Sequence, residues 1–255
     1  MLELDNIRVH RDGRDILMIE RLAISTHQLT VILGHNGSGK STLMNLLARQ
    51  MRPDGGDIRL NGQLINGFSQ KRLAQEIAFL PQRLPEVAGL NVRELVRLGR
   101  FPWRGTLGRW QAEDTAIIQA AMEQTDVLDY ADQLTDQLSG GERQRAWVAM
   151  LLAQQSPLLL LDEPTSALDL SHQYELMALL RTLNQQTHRG VVVILHDVNL
   201  AARFSDRVIA LKQGRLVFDG DPVSLLSAPL LTELYGITIQ LIKHPTLATK
   251  VAVVA

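Results

Sequence analysis

The stretch Gly34-His35-Asn36-Gly37-Ser38-Gly39-Lys40-Ser41-Thr42 constrains the fold of this chain more than any other. It lies between an apolar run ending at Leu33 and a helical run through Leu43 to Arg49. It fits the pattern G-x-x-x-x-G-K-[ST], in which small residues let successive backbone N–H groups converge on phosphate oxygens. The helix that follows presents its positive end to the same point. The whole stretch is therefore a candidate nucleotide-binding loop, with Lys40 reaching the β- and γ-phosphates and Ser41 a Mg²⁺ ligand.

Short, largely continuous apolar runs recur at Leu29 to Leu33, Ile77 to Leu80, Leu158 to Leu161 and Val191 to Leu195. Continuous rather than alternating hydrophobicity predicts strands buried on both faces, hence a mostly parallel sheet covered by helices. Leu2 to Val9, Ile58 to Leu60, Val208 to Leu211 and Arg215 to Phe218 alternate in part and are separated by turn signals such as Asp54-Gly55-Gly56, Asn61-Gly62 and Lys212-Gln213-Gly214. These predict antiparallel strands and hairpins. Helical periodicity dominates Val92 to Leu98, Ala112 to Met122 and Gly141 to Leu152. The expected architecture is α/β: a core over residues 1–82 and 156–220 with a mostly parallel sheet and an antiparallel β lobe, an inserted α-helical lobe over 83–155, and a tail over 221–255. Two short helical candidates and a weakly patterned apolar end make up that tail.

The chain of 255 residues carries a net charge of −1, which gives no field for capturing nucleic acid nonspecifically. It has no Cys, so neither a disulfide framework nor a Cys-based metal site is available. Met1 to His10 lacks a basic region followed by an apolar one and does not read as a signal peptide. No apolar run approaches the roughly 20 residues that cross a bilayer, so any service to a membrane is expected to go through partners.

Leu158 to Leu161 is followed by Asp162 and Glu163. At the carboxyl end of a parallel strand two carboxylates lie in the crevice where α/β sheets bind ligands. Neighbouring side chains along a strand point differently and take different tasks. Asp162 fits the Mg²⁺ shell and Glu163 the general base that polarises an attacking water.

Leu138-Ser139-Gly140-Gly141-Glu142-Arg143-Gln144 resembles the LSGGQ-type signature of ABC transporter ATPases. The rest of that family's pattern follows in order. Gln82 in Phe79-Leu80-Pro81-Gln82 resembles the Q-loop glutamine, near the Mg²⁺ and the attacking water. Ser166-Ala167-Leu168-Asp169 resembles the D-loop, and His196 in Leu195-His196-Asp197 the switch histidine that meets the γ-phosphate. The resemblance implies an α/β core with an antiparallel lobe and a helical lobe carrying the signature. It also implies a head-to-tail dimer with ATP and Mg²⁺ at its interface, where Ser139, Gly140, Gly141 and Asp169 act on the partner's nucleotide. One departure concerns adenine. The family places an aromatic residue near the end of the first strand, whereas Arg8-Val9-His10-Arg11 offers His10, whose imidazole can stack weakly.

Leu98-Gly99-Arg100-Phe101-Pro102-Trp103, continued by Arg104-Gly105-Thr106-Leu107-Gly108-Arg109-Trp110, is similar to ATPases of iron-siderophore importers, the ferric hydroxamate type above all. His196 to Arg203 and Leu234-Tyr235-Gly236-Ile237 match that group too. The resemblance implies a peripheral subunit on the cytoplasmic face of a bacterial inner membrane. Its partners would be a second copy, a separate permease and, indirectly, a siderophore-binding protein, with no nucleic acid. Cobalamin or haem import, or a regulatory ATPase without a permease, are the alternatives. No long coiled-coil insertion and no second cassette is present, as DNA-repair or translation types would need. Arg93, Arg97, Arg100, Arg104 and Arg109, interleaved with Phe101, Trp103 and Trp110, read either as a solvated helical face or as a docking surface for the permease.

Overall fold

A computed structural model describes residues 1–104, 108–244 and 249–255. Gly105, Thr106 and Leu107 of the Arg-aromatic stretch, and residues 245–248 of the tail, lie outside the described residues.

In chain order the first segment carries β1 (Leu2–Arg11), β2 (Arg14–Ile24), β3 (Leu29–Leu33), α1 (Lys40–Leu47), β4 (Gly55–Leu60) and β5 (Gln63–Leu64). The middle segment carries α2 (Gln70–Glu76), β6 (Ile77–Leu80), α3 (Val92–Leu98), α4 (Phe101–Arg104), α5 (Ala112–Gln124), α6 (Gly140–Ala153), β7 (Leu158–Leu161) and α7 (Leu170–Thr187). The last carries β8 (Gly190–Ile194), α8 (Val198–Phe204), β9 (Arg207–Lys212), β10 (Arg215–Gly220), α9 (Pro222–Leu225), α10 (Ala228–Tyr235), β11 (Ile239–Lys243) and β12 (Lys250–Val254). Met1–Gly67 and Gly190–Ala255 form one compact unit, and Phe68–Arg189 forms another.

In the first unit the strand order is β5-β4-β1-β2-β10-β9-β3-β8. Every residue of β3 and β8 is buried, as their unbroken hydrophobicity predicts, and Val31 faces Val193 on one side and Val208 on the other in parallel register. β1 pairs antiparallel with β2 and β4. Two expectations need correction. Val208 to Leu211 is not purely antiparallel, since β9 runs parallel to β3 and antiparallel to β10. Its four central residues are all buried, the mark of a strand with sheet on both sides. The weakly patterned apolar end, for which no strand was expected, is regular too. It forms the antiparallel hairpin β11–β12, with Leu241 opposite Ala252.

In the second unit β6 and β7 pair in parallel, Phe79 opposite Leu160. Helices α3, α5 and α6 pack against one another. Asn91 starts α3 with a reciprocal capping box: its side chain accepts from Glu94 N at 2.8 Å, and Glu94 accepts from Asn91 N at 2.9 Å. The Arg-aromatic stretch is mostly an internal clip. Arg100 is buried and donates to Asp114 at 3.0 Å, to Ala153 O at 2.9 Å and to Gln155 at 3.1 Å. Arg104, with only 11% of its side chain exposed, reaches the other Asp114 oxygen at 3.4 Å, bonds the Gly108 and Arg109 carbonyls, and lies 3.6 Å over the Trp110 ring. Arg97 stacks on the same ring at 4.2 Å. Such cations are committed to holding α4 and α5 together, which neither the solvated face nor the docking surface anticipates. Among the described residues of the stretch, Phe101, Trp103, Arg109 and Trp110 are exposed.

Candidate active site

The first unit holds the phosphate-loop candidates. Strand β3 ends at Leu33 and α1 begins at Lys40, and the N-cap Gly39 is left-handed with no side-chain cap and no acidic residue in the first turn. No acidic residue of that first turn therefore competes with an anion at this end of α1. Gly34 has φ +147, and a Cβ there would stand 2.3 Å from Leu211 O and 2.5 Å from Ser38 Oγ. Lys40 is buried and its ammonium donates to Gly34 O at 2.7 Å and His35 O at 3.1 Å, folding back over the loop it closes. The Ser38 hydroxyl is buried with no hydrogen-bond partner, while its backbone N–H closes a turn onto His35 O at 3.2 Å. A cradle lined by backbone donors and a buried ammonium fits the phosphates of a nucleotide. Gly34→Ala is expected to weaken ATP binding about tenfold or more, because the loop must open to admit the methyl group. Titration with a fluorescent nucleotide checks it.

Three residues around this loop escaped the reading of the sequence. A Cβ on Gly39 would meet Ile16 O at 3.0 Å and Leu17 Cδ1 at 3.1 Å, so β2 forms one wall. Gly214, in the left-handed turn between β9 and β10, donates to Ser38 O at 3.0 Å and accepts from Met18 N at 2.7 Å. Its φ is +75 and a Cβ would stand 2.4 Å from Ile16 O. The turn signal Lys212-Gln213-Gly214 was visible, but nothing in it pointed to the phosphate loop. His10 sits at a bulge in β1 opposite Asp15, with Nδ1 3.1 Å from that carboxylate and its backbone N–H on Asp54 at 2.7 Å. The β1–β2 hairpin thus brings His10 to the same edge of the unit as Ile16. His196 is exposed between Leu195, whose N–H is fixed to Ile32 O at 3.2 Å, and Asp197, which caps α8.

The second unit holds the remaining candidates. Asp162 is buried just beyond β7, its N–H on Leu80 O at 2.9 Å. Glu163 follows with φ 51, a left-handed conformation costing about 1 kcal/mol for a residue with a Cβ. Gln82 Nε2 donates to Glu163 Oε2 at 2.6 Å, joining two residues far apart in sequence. Ser139 caps α6 through a reciprocal box: its Oγ accepts from Glu142 N at 3.3 Å, and its N–H donates to Glu142 at 2.8 Å. Hydrogen bonds from the Ser139 side chain and backbone, then from Tyr130, hold the Glu142 carboxyl below its ordinary range. Gly140 and Gly141 lie against Ala167 and Leu168, so signature and D-loop candidates are neighbours. Asp169 caps α7 by accepting from His172 N at 2.9 Å and pairs with His172 Nδ1 at 2.8 Å. Those contacts, the backbone one first, lower its pKa. Among the described residues no cluster of His, Cys, Asp or Glu could hold a metal by itself.

Residues 19–166 match the family described as ABC transporter. The probable siderophore transport system ATP-binding protein YusV of Bacillus subtilis is 40% identical over 94% of this chain and 88% of its own length. The iron(3+)-hydroxamate import ATP-binding protein FhuC of the same organism is 42% identical over 91% and 87%. The ferric enterobactin transport ATP-binding protein FepC of Escherichia coli is 41% identical over 88% and 83%. Among solved structures, a transporter described as of metal-chelate ABC type, in an inward-facing conformation, superposes with a TM-score of 0.85 at 26% identity, covering 100% of this chain and 97% of that one. The cassette MJ0796, solved as a dimer with ADP and Pi, gives 0.78 at 29% identity over 87% and 99%. With more than half of the chain matched to that family and relatives at about 40% identity over most of both chains, the chain belongs to the ABC transporter ATPases.

Proposed function

We propose that this chain powers import of an iron(III)-siderophore chelate, of hydroxamate type, as the ATP-hydrolysing subunit of a transporter. It works as a head-to-tail pair on the cytoplasmic face of the bacterial inner membrane, beneath a separate permease fed by a siderophore-binding protein. The observation that carries the substrate class is the set of relatives named for siderophore systems at about 40% identity over most of both chains. No helix of the described residues is long and apolar enough to cross a membrane, consistent with a subunit that leaves translocation to a partner.

Within each subunit Gly34 to Thr42 would cradle the phosphates and Lys40 would neutralise them, while Ser41, Asp162 and Gln82 are the residues that would hold Mg²⁺, which would supply charge neutralisation of the phosphates. Glu163 is the general base: its carboxylate, oriented by Gln82 at 2.6 Å, takes a proton from the attacking water. His196 steadies the γ-phosphate. Ser139, Gly140 and Gly141 present the N-terminus of α6 as a second anion site that serves the other subunit's ATP, and Asp169 lines that contact. His10, flanked by Arg11, meets adenine.

A haem reading also has support, since the hemin import protein HmuV of Rhodococcus jostii is 39% identical over 96% of this chain and 82% of its own length. Deleting the coding sequence and feeding iron as a hydroxamate chelate or as haem separates the two. Uptake of the chelate should fall to background while haem uptake persists. The opposite pattern overturns the siderophore assignment, and recovery of no permease with the tagged chain from membranes overturns the transport role.

A further inference from the structure

We infer that the C-terminal hairpin β11–β12 is a brace that positions His196 through Asn199. This rests on the proposed role of His196 at the γ-phosphate. The hairpin lies wholly outside residues 19–166, which match the family description.

His196 occupies a short bridge between two anchors. On one side Leu195 is tied to the sheet by its bond to Ile32 O at 3.2 Å. On the other, Asp197 caps α8 by accepting from Asn199 N at 2.7 Å and Leu200 N at 3.0 Å. The first anchor is a buried strand and the second is a helix of 7 residues, far below the length at which a helix holds its own shape in water. The orientation of α8 must come from what packs on it.

Asn199 supplies the link. Its Nδ2 donates to Ala252 O at 3.0 Å and its Oδ1 accepts from Ala252 N at 2.8 Å, so one amide satisfies both main-chain groups of that residue. The edge of a two-stranded hairpin is a row of main-chain groups in need of partners, and here a side chain from α8 plays the part of a neighbouring strand. The hairpin is itself tied to α10, whose Thr232 accepts from Ile239 N at 3.0 Å, and Ala255 N donates to Thr238 O at 3.0 Å. Tyr235, at the end of α10, has a buried hydroxyl without a hydrogen-bond partner. Burial first, and then the charge of Asp197, push its pKa up to about 12. The helix that follows His196 is therefore gripped by the C-terminal hairpin through Asn199.

The test uses the full-length chain and single-turnover ATP hydrolysis, with nucleotide affinity measured alongside. Asn199→Ala removes the grip from α8. Ala252→Pro removes one of the two bonds from the hairpin side, and it serves if the first variant fails to fold. Each should slow hydrolysis about tenfold while leaving ATP affinity within about twofold, the split expected when a reacting-site group is displaced rather than a binding one lost. The two combined should be no worse than the more severe one, and neither should slow hydrolysis further in a His196→Ala background. Normal hydrolysis with the link cut, an equal loss of ATP affinity, or a full further loss in the His196→Ala background overturns the brace. His196→Ala alone with near-normal turnover would instead remove the role of His196, and the brace with it.

Discussion

Glu163→Gln is expected to bind ATP normally and to hydrolyse it about 10²- to 10⁴-fold more slowly, the range for loss of a general base. The substitution is nearly isosteric, and its amide oxygen can still accept from Gln82 as Glu163 does at 2.6 Å. The left-handed backbone at φ 51 is kept as well. What disappears is the capacity to take a proton. Since the phosphate cradle lies elsewhere in the sequence, the variant should accumulate in its ATP-bound paired form, visible as a shift in size-exclusion chromatography. Steady-state turnover within a few-fold of the parent would remove Glu163 from the chemistry.

Asp114→Ala is expected to cost about 3–5 kcal/mol of stability, because it leaves the buried Arg100 guanidinium without its counter-charge. Arg104 loses the same partner, so two largely buried cations would be left without it. Burial pushes the Asp114 carboxyl up, yet the hydrogen bond from Arg100, that from Gln111 N and the charges of both arginines outweigh it, so its pKa is lowered. A depressed folded-state pKa makes this contribution complete above the unfolded aspartate value of about 3.9 and progressively lost as the pH falls below it. Urea melts at neutral pH check the first statement. For the second, the difference between parent and variant should shrink in acid and stay constant between neutral pH and mildly alkaline conditions.

Much of the fold was legible because strands buried on both faces leave an unambiguous pattern. The runs at Leu29, Ile77, Leu158 and Val191 each became β3, β6, β7 and β8. β2 was not legible: Arg14, Asp15, Glu20 and Arg21 interrupt its apolar residues irregularly, since it forms part of the loop wall at Ile16 and Leu17 instead of alternating cleanly. The hairpin β11–β12 was missed for a related reason. Only Ile239 and Ala252 are buried in it, so its sequence carries little periodic signal. At the candidate site, local chemistry was readable and pairing was not. Gly34 to Thr42 announce a strand-loop-helix by themselves, whereas the contact of Gln82 with Glu163 and the support of Ser38 by Gly214 depend on chain paths that no local pattern records. Arg100 and Arg104 were misjudged because a row of charges looks the same whether it faces water or a buried Asp114.

The contact between Gly214 and Ser38 bears on how the protein is made. The phosphate loop emerges early in synthesis, but the turn that supports its Ser38 carbonyl belongs to the last quarter of the chain, and the unit containing both is assembled from Met1–Gly67 and Gly190–Ala255. Domains commonly fold from the N-terminus as they leave the ribosome. This one has to wait: its nascent chain carries the nucleotide motif long before it has a finished cradle, and a product truncated ahead of Gly214 would keep every residue of that motif while lacking the turn that braces it.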